Sequence, residues 1–324
     1  MSNNEQQDSE FERLKNSKFK QQKLPAWRPV PTITSTSVTF FLFGIAFIVI
    51  GIVVLNYSNQ IVEVSQQYDS TCNLNSFCQV NFTVSSPMAP PVMLYYQLNN
   101  FYQNHRRYVK SKSNSQLNGG LLTVADLTSS GDCDPIVNMG QLGISRSVNG
   151  TFLAPDAVAN PCGLIAKSLF NDNFTLADSS GNSLFINEKD IAWQADKDLK
   201  YSRPKNPVTG EDDNYWQSVQ WHDVMDEHFM VWMRPAGLPN FRKLWGRINQ
   251  TLNNGNYTMT VYNMYNVTQF SGQKLFVLST VNSFGGKNNF LGISYIVVGS
   301  ICVLMAVAFI IGYRIHNGQN KKDN

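Results

Sequence analysis

The densest set of side chains that could do chemistry is His222-Asp223-Val224-Met225-Asp226-Glu227-His228, which packs two imidazoles and three carboxylates into one short run. A zinc site is the obvious use, but the spacing works against it. On a helix, residues six apart point about 240° away from each other, and on a strand they share a face about 20 Å apart, whereas a helical zinc pair needs histidines at i and i+4. The run reads instead as a polar lead-in to a strand. Gly285-Gly286-Lys287-Asn288 superficially resembles a phosphate loop, yet Val281 stands where its first glycine belongs and Asn288 replaces the Ser or Thr. No G-x-S-x-G occurs, and carboxylate neighbours such as Asp212-Asp213 suit a solvated loop better than a glycosidase pair. The sequence offers no catalytic residue, no metal ligand set and no cofactor site of its own.

Two residue types carry chemistry of another kind, as targets of modification. Asn-x-Ser/Thr sequons stand at Asn56, Asn81, Asn149, Asn173, Asn249, Asn256 and Asn266. Asn56 abuts an apolar run where a membrane-bound transferase would struggle to reach it, which leaves the other six as expected N-glycan sites. Cys72, Cys78, Cys133 and Cys162 fall in the same region, and Cys302 stands apart. Four cysteines allow three connectivities. Pairing of neighbours, Cys72 with Cys78 and Cys133 with Cys162, is favoured, and on the loop-entropy model would stabilise by about 2.4 and 3.6 kcal/mol. Both features suit an oxidising, non-cytosolic compartment.

The elements that must position these residues begin with two uncharged apolar stretches, Val38 to Leu55 and Leu291 to Gly312. As helices they are about 27 and 33 Å long, bracketing a hydrocarbon core of about 30 Å. A core helix of a soluble protein rarely runs so long without a charge. A cleaved signal peptide is excluded by the long polar tail ahead of the first stretch and by Asn56-Tyr57-Ser58, which offers no small-x-small cleavage site. Arg13, Lys15, Lys18, Lys20, Lys23 and Arg28 precede the first span, and Arg314, Lys321 and Lys322 follow the second. Both termini are therefore expected in the cytosol. The expected organisation is a tail over 1–37, spans over 38–55 and 291–312, an ectodomain over 56–290 and a C-tail over 313–324. The ectodomain is near neutral, so nucleic acid is a poor partner. Neither span holds an ionisable residue, so the pair alone makes no polar path across a membrane.

Within the ectodomain, Val80 to Val84, Val92 to Leu98, Phe229 to Met233, Thr258 to Val267 and Lys274 to Val281 read as strands. Phe241, Leu244, Trp245, Ile248 and Leu252 recur at helical spacing, and a shorter helix is expected between Pro161 and Phe170. The fold class that follows is a membrane protein with two transmembrane helices and a large β-rich (α+β) ectodomain, two packed antiparallel sheets with helices at the edge. Gly44 and Gly51, and likewise Gly292, Gly299 and Ala306, recur every seven residues. Each set lines one helix face and suits a packing seam between the spans or against a partner. Ahead of the first span, Leu24, Pro25, Trp27, Pro29 and Pro31 form a stiff run over 19–31 that serves either as a docking segment or as an interfacial anchor.

Several runs, in order along the chain, resemble the accessory β-subunits of type IV P-type ATPases, the ligand-effect-modulator or Cdc-fifty family. They are Phe19 to Pro29, Tyr95 to Tyr108, Pro161 to Ala166, Ile191-Ala192-Trp193, Trp232-Met233-Arg234 through Phe241 to Leu244, and Gly285 to Asn288 followed by Phe290 to Ile293. The resemblance implies a non-catalytic subunit that pairs with a large catalytic α-subunit, helps it leave the endoplasmic reticulum and supports phospholipid flipping. ATP, magnesium and the phosphorylated aspartate would belong to that partner, since Asp196-Lys197 here continues as Asp198-Leu199 and not as D-K-T-G. The resemblance also implies an integral membrane protein of the secretory pathway with N-linked glycans. It assigns partner or lipid contact to Phe19, Lys20, Lys23, Leu24, Pro25, Trp27 and Arg28. A free-standing receptor or adhesion glycoprotein is the alternative.

Overall fold

The computed structural model describes residues 15–23 and 31–320. In chain order its principal elements are α1 (Ile33–Asn59), β1 (Glu63–Gln67), β2 (Ser76–Val84), β3 (Val92–Asn99), α2 (Arg106–Lys110), α3 (Leu164–Lys167), β4 (Asn173–Asp178) and β5 (Ser183–Leu184). There follow α4 (Gln194–Leu199), α5 (Glu227–Met233), β6 (Phe241–Ile248), β7 (Gly255–Asn263), β8 (Gln273–Ser279) and α6 (Asn289–Asn320). The long helices form one compact unit and Asn56–Asn289 the other.

Each long helix carries a 27-residue stretch apolar enough to cross a bilayer, about 40 Å of helix. Only 11% of each apolar window is buried, which excludes a soluble-core role. Phe41, Leu42, Val49, Ile301 and Leu304 all face outward. Glycine decides where the helices touch. A Cβ on Gly44 would lie 2.7 Å from Val303 Cγ2 and 2.9 Å from the Gly299 carbonyl oxygen. One on Gly51 would meet Ile296 Cγ1 at 2.7 Å and the Gly292 oxygen at 2.9 Å, and one on Gly299 would meet the Gly44 oxygen at 2.7 Å. The two seven-residue repeats therefore face each other, backbone against backbone, within this chain.

The second unit is a sandwich of two antiparallel sheets, ordered β1-β8-β3-β6 and β2-β7-β4-β5. Alternation explains the layering. Val92, Leu94, Tyr96 and Leu98 of β3 point inward, as do Tyr257, Met259 and Val261 of β7. Rings meet across the gap: Phe82 and Phe276 at 5.3 Å, Phe174 and Trp245 at 5.2 Å. Tyr96 stacks on Phe170 at 3.9 Å, and fully buried Trp232 donates its indole N–H to the Ile165 oxygen at 2.8 Å. Each such ring pair adds about 0.5–1.5 kcal/mol beyond area burial.

Two expected elements change type. Residues 241–252 form β6 and a following turn, not a helix, because a β-bulge mimics helical spacing. The register between β3 and β6 shifts at Leu94/Tyr95, where Leu94 pairs with Gly246 and Tyr95 with Leu244, so Trp245 is the extra residue. Inward positions then fall at Phe241, Lys243, Trp245 and Ile248, and the last step of three breaks the strand period. Phe229 to Met233 lies in α5, not a strand. Asp226 accepts the His228 amide at 3.1 Å as N-cap, and Phe229, Met230, Trp232 and Met233 bury one helical face. The 222–228 run thus leads into a helix. The strand expected over Thr258 to Val267 ends at Asn263, and the helix after Pro161 is a single turn.

Disulfides join Cys72 to Cys78 and Cys133 to Cys162, each with Cα atoms 5.6 Å apart. The second pins a satellite core of Leu127, Ile136, Met139, Leu142 and Ala159. Between the sheets, the Lys274 ammonium donates to Asp172 Oδ2 at 2.7 Å, to the Tyr265 carbonyl and to Asn263. Asp172 also accepts the Tyr68 hydroxyl and the amides of Met264 and Tyr265, each at 2.6 Å. Burial pushes the Lys274 ammonium below its ordinary value even with Asp172 beside it.

Two measurements check this packing. Gly299→Leu should lower stability in mild detergent by about 1–3 kcal/mol through overpacking, whereas Gly312→Leu, with open space around it, should be neutral. Asp172→Asn should cost about 3–5 kcal/mol in denaturant unfolding. The apolar double variant Asp172→Leu with Lys274→Met should cost less than that single change.

Candidate functional site

Ile191 to Trp193 meets two later segments, Met230 to Ala236 and Arg242 to Leu244, around one cleft of about 290 Å³. Each is placed by a different device. Glu227, in the first turn of α5, accepts the amides of Asp190 and Ala192 at 3.0 and 2.9 Å and so fixes the approach of the first segment. The second is the end of α5. The third is the start of β6, where alternation sends Lys243 inward and Arg242 outward.

The cleft's electrostatics centre on Arg234. Its guanidinium lies 4.8 Å from the ring centroid of Trp193, an indole that remains 66% exposed, and its Nε donates to buried Asp196. Lys200 Nζ reaches the other Asp196 oxygen at 2.7 Å. The hydrogen bond from Arg234 leads the causes that hold the Asp196 carboxyl below the usual carboxylate range. Lys243 Nζ is caged by the carbonyl oxygens of Val231 at 2.9 Å, Trp232 at 3.0 Å and Arg234. Burial, with the Arg234 charge adding, pushes this ammonium down to about 7. Arg242 forks onto Glu63 at 2.7 and 3.0 Å. In the sequence these segments stand out only as family-like runs, and nothing local brings Trp193 to Arg234. The available signal was a tryptophan three residues ahead of the charged run Asp196-Lys197-Asp198.

The histidines of the 222–228 run go to separate partners. His222 Nε2 lies 3.1 Å from Asp226, and His228 Nε2 lies 3.0 Å from Glu188 while its ring packs 4.0 Å from Trp245. Among the described residues, no three His, Cys, Asp or Glu side chains are grouped to hold a metal. Gly285 and Asn282 exchange backbone hydrogen bonds at 2.9 and 3.1 Å, closing a turn. Asp213 accepts from the Asn206 side chain at 2.6 Å.

Asn81, Asn149, Asn173, Asn249, Asn256 and Asn266 are all exposed, as is Asn56 at the end of α1. Three of them share the outer face of one sheet. Asn81 on β2, Asn256 on β7 and Asn173 on β4 alternate with inward-facing core residues. Asn81 pairs with Thr258 and Thr83 with Asn256, and each threonine hydroxyl donates to the opposing asparagine at 2.8 Å. The two sequons therefore clasp each other across the ladder. Phe19, Lys20 and Lys23 are exposed in a turn closed by the Lys23 amide on the Lys18 oxygen at 2.7 Å. Leu24, Pro25, Trp27 and Arg28 lie outside the described residues.

Residues 53–319 match the model of the LEM3 (ligand-effect modulator 3) family / CDC50 family. Cell cycle control protein 50A of Mus musculus is 37% identical over 349 residues, covering 95% of this chain and 91% of that protein. Putative ALA-interacting subunit 2 of Arabidopsis thaliana is 37% identical, with 94% and 90% covered, and Cell cycle control protein 50B of Homo sapiens is 33% identical, with 95% of each covered. Matches of this length, spanning both apolar helices and the sandwich between them, leave one conclusion: the chain belongs to the LEM3/CDC50 family.

Proposed function

We propose that this chain is the non-catalytic accessory subunit of a phospholipid-translocating type IV P-type ATPase. Its role is assembly: the ectodomain caps the extracytosolic loops of a large catalytic subunit, the helix pair packs beside that subunit's spans, and the 19–31 segment holds its cytosolic side. Contacts in several zones of one chain raise the effective concentration of each. ATP, magnesium and the phosphorylated aspartate reside in the partner, and exit from the endoplasmic reticulum follows from the pairing. The observation that carries this reading is the near full-length match to relatives named interacting subunits.

The topology belongs to the same proposal. Both termini lie in the cytosol, and residues 56–290 occupy the secretory lumen or cell exterior, bearing disulfides and N-glycans on Asn81, Asn149, Asn173, Asn249, Asn256 and Asn266. Purification in mild detergent followed by mass spectrometry should find a stoichiometric ATPase chain of about a thousand residues and glycopeptides at these asparagines. A chain that leaves the endoplasmic reticulum alone, with no ATPase beside it, would instead be a free-standing receptor. Replacing Leu24 to Trp27 with a Gly/Ser run should reduce both co-purification and lipid flipping. Unchanged values would remove that segment from the interface.

A further inference from the structure

We propose that the first sugar of an N-glycan on Asn173 packs flat against Tyr262, extending a stack that Tyr262 makes with Phe77. The inference rests on the reading of Asn173 as a glycan site. It gives that sugar a seat and a role, which is to cover the rings and tie three strands together.

The seat follows from register. The order β2-β7-β4 places Phe77, Tyr262 and Asn173 side by side, since Phe77 pairs with Tyr262 and Tyr262 with Asn173. All three point outward, because Cys78, Val261 and Phe174 beside them pack into the core. The Phe77 and Tyr262 rings are stacked, with centroids 4.3 Å apart and planes 21° from parallel. Neighbouring strands run about 4.7–4.9 Å apart, so rings stacked across them stand with their planes across the strand-to-strand direction. One face of Tyr262 is therefore taken by Phe77, and the other looks toward β4. Asn173 is the residue directly opposite there, a placement that sets the two Cβ atoms about 4.5–5.5 Å apart. Phe77 keeps 73% of its surface in solvent, and the disulfide from adjacent Cys78 to Cys72 ties down its strand.

Chemistry and size name the occupant. An N-linked glycan begins with a β-linked N-acetylglucosamine, one face of which is lined by axial C–H groups. Those weakly positive hydrogens complement the negative face of an aromatic ring. The next outward positions along the same strands are polar or small: Gln79, Thr260 and Thr175 in one row, then Asn81, Thr258 and Ala177. Two rings amid such side chains offer far less than the roughly 800 Å² per partner that a stable protein interface buries. They match one pyranose ring, and Asn173 delivers it through a covalent bond, which makes the contact intramolecular. The other sequons of this sheet lack such a neighbour, since Asn81 faces Thr258 and Asn256 faces Thr83.

The test uses the full-length chain in mild detergent, made with high-mannose glycans that are trimmed enzymatically to one N-acetylglucosamine per site. Asn173→Gln then differs from its parent by one sugar, and it should melt about 2–4 °C lower, the shift expected of a modest packing loss in a domain of this size. In a ring-free background, Phe77→Thr with Tyr262→Thr, the same Asn173→Gln change should leave the melting temperature unmoved. Tyr262→Ile supplies a second background without the ring face should the double replacement fail to fold. No drop in the parent overturns the stack, and so does an equal drop in the parent and the ring-free chain. Loss of co-purifying ATPase from the ring-free chain, with no melting change for Asn173→Gln, assigns the rings to a protein partner and overturns the proposal. Glycopeptide mass spectrometry keeps the two readings apart. An unoccupied Asn173 in the wild-type chain defeats its assignment as a glycan site and the stack with it, whereas an occupied one uncoupled from Tyr262 defeats the stack alone.

Discussion

The dry space between the sheets is organised by a single ion pair. Lys274 and Asp172 are both withdrawn from water, and each is saturated by partners from other parts of the chain: Tyr68 after β1, Asn263 at the end of β7, and the backbone of residues 264 and 265. An isolated ammonium or carboxylate there would cost several kcal/mol. The pair is tolerable only when β1, β7, β8 and the entry to β4 are all in register. The node thus ties correct pairing in one sheet to correct pairing in the other. The aromatic layer of Tyr96, Phe170, Phe174 and Trp245 then packs against a frame whose register is already set.

Much of this arrangement was legible in the residues, and the rest was hidden for physical reasons. The spans and the strands β2, β3, β7 and β8 announce themselves by length, lack of charge and alternation. The glycine repeats pointed to a seam without naming its other half. That required coordinates, because a small-residue face reads the same whether its neighbour is in this chain or another. Residues 241–252 misled because one bulged residue converts a period of two into steps that a helix would also make. The Phe229 to Met233 segment misled because its hydrophobes could serve either period, and the decision was made by Asp226, a cap three positions upstream of Phe229. Asp172 and Lys274 gave no local sign at all, since a partner about a hundred residues away is invisible to any window.

The same blindness applies to the cleft. Trp193 stands in one family-like run and Arg234 and Lys243 in another, and Tyr96 and Trp232, in runs of the same kind, are buried. What separates them is the side of the strand or helix on which each emerges, and whether a neighbour supplies a counter-charge. Arg234 gains Asp196 by way of α4, an element too short to be read confidently from pattern. That three sequon asparagines share the outer face of one sheet is likewise a property of tertiary placement.

One consequence concerns mechanical load. The chain enters the sandwich at Glu63 and leaves it at Ser279, and those two residues are register partners at one end of the β1–β8 ladder. Traction that drew the two entry points apart would open this ladder like a zipper, parting one residue pair after another instead of shearing all five together. A weak mode of that kind is safe only where the flanking segments are kept from diverging. The two flanking segments run on into α1 and α6, whose interlocked glycines hold those helices against each other.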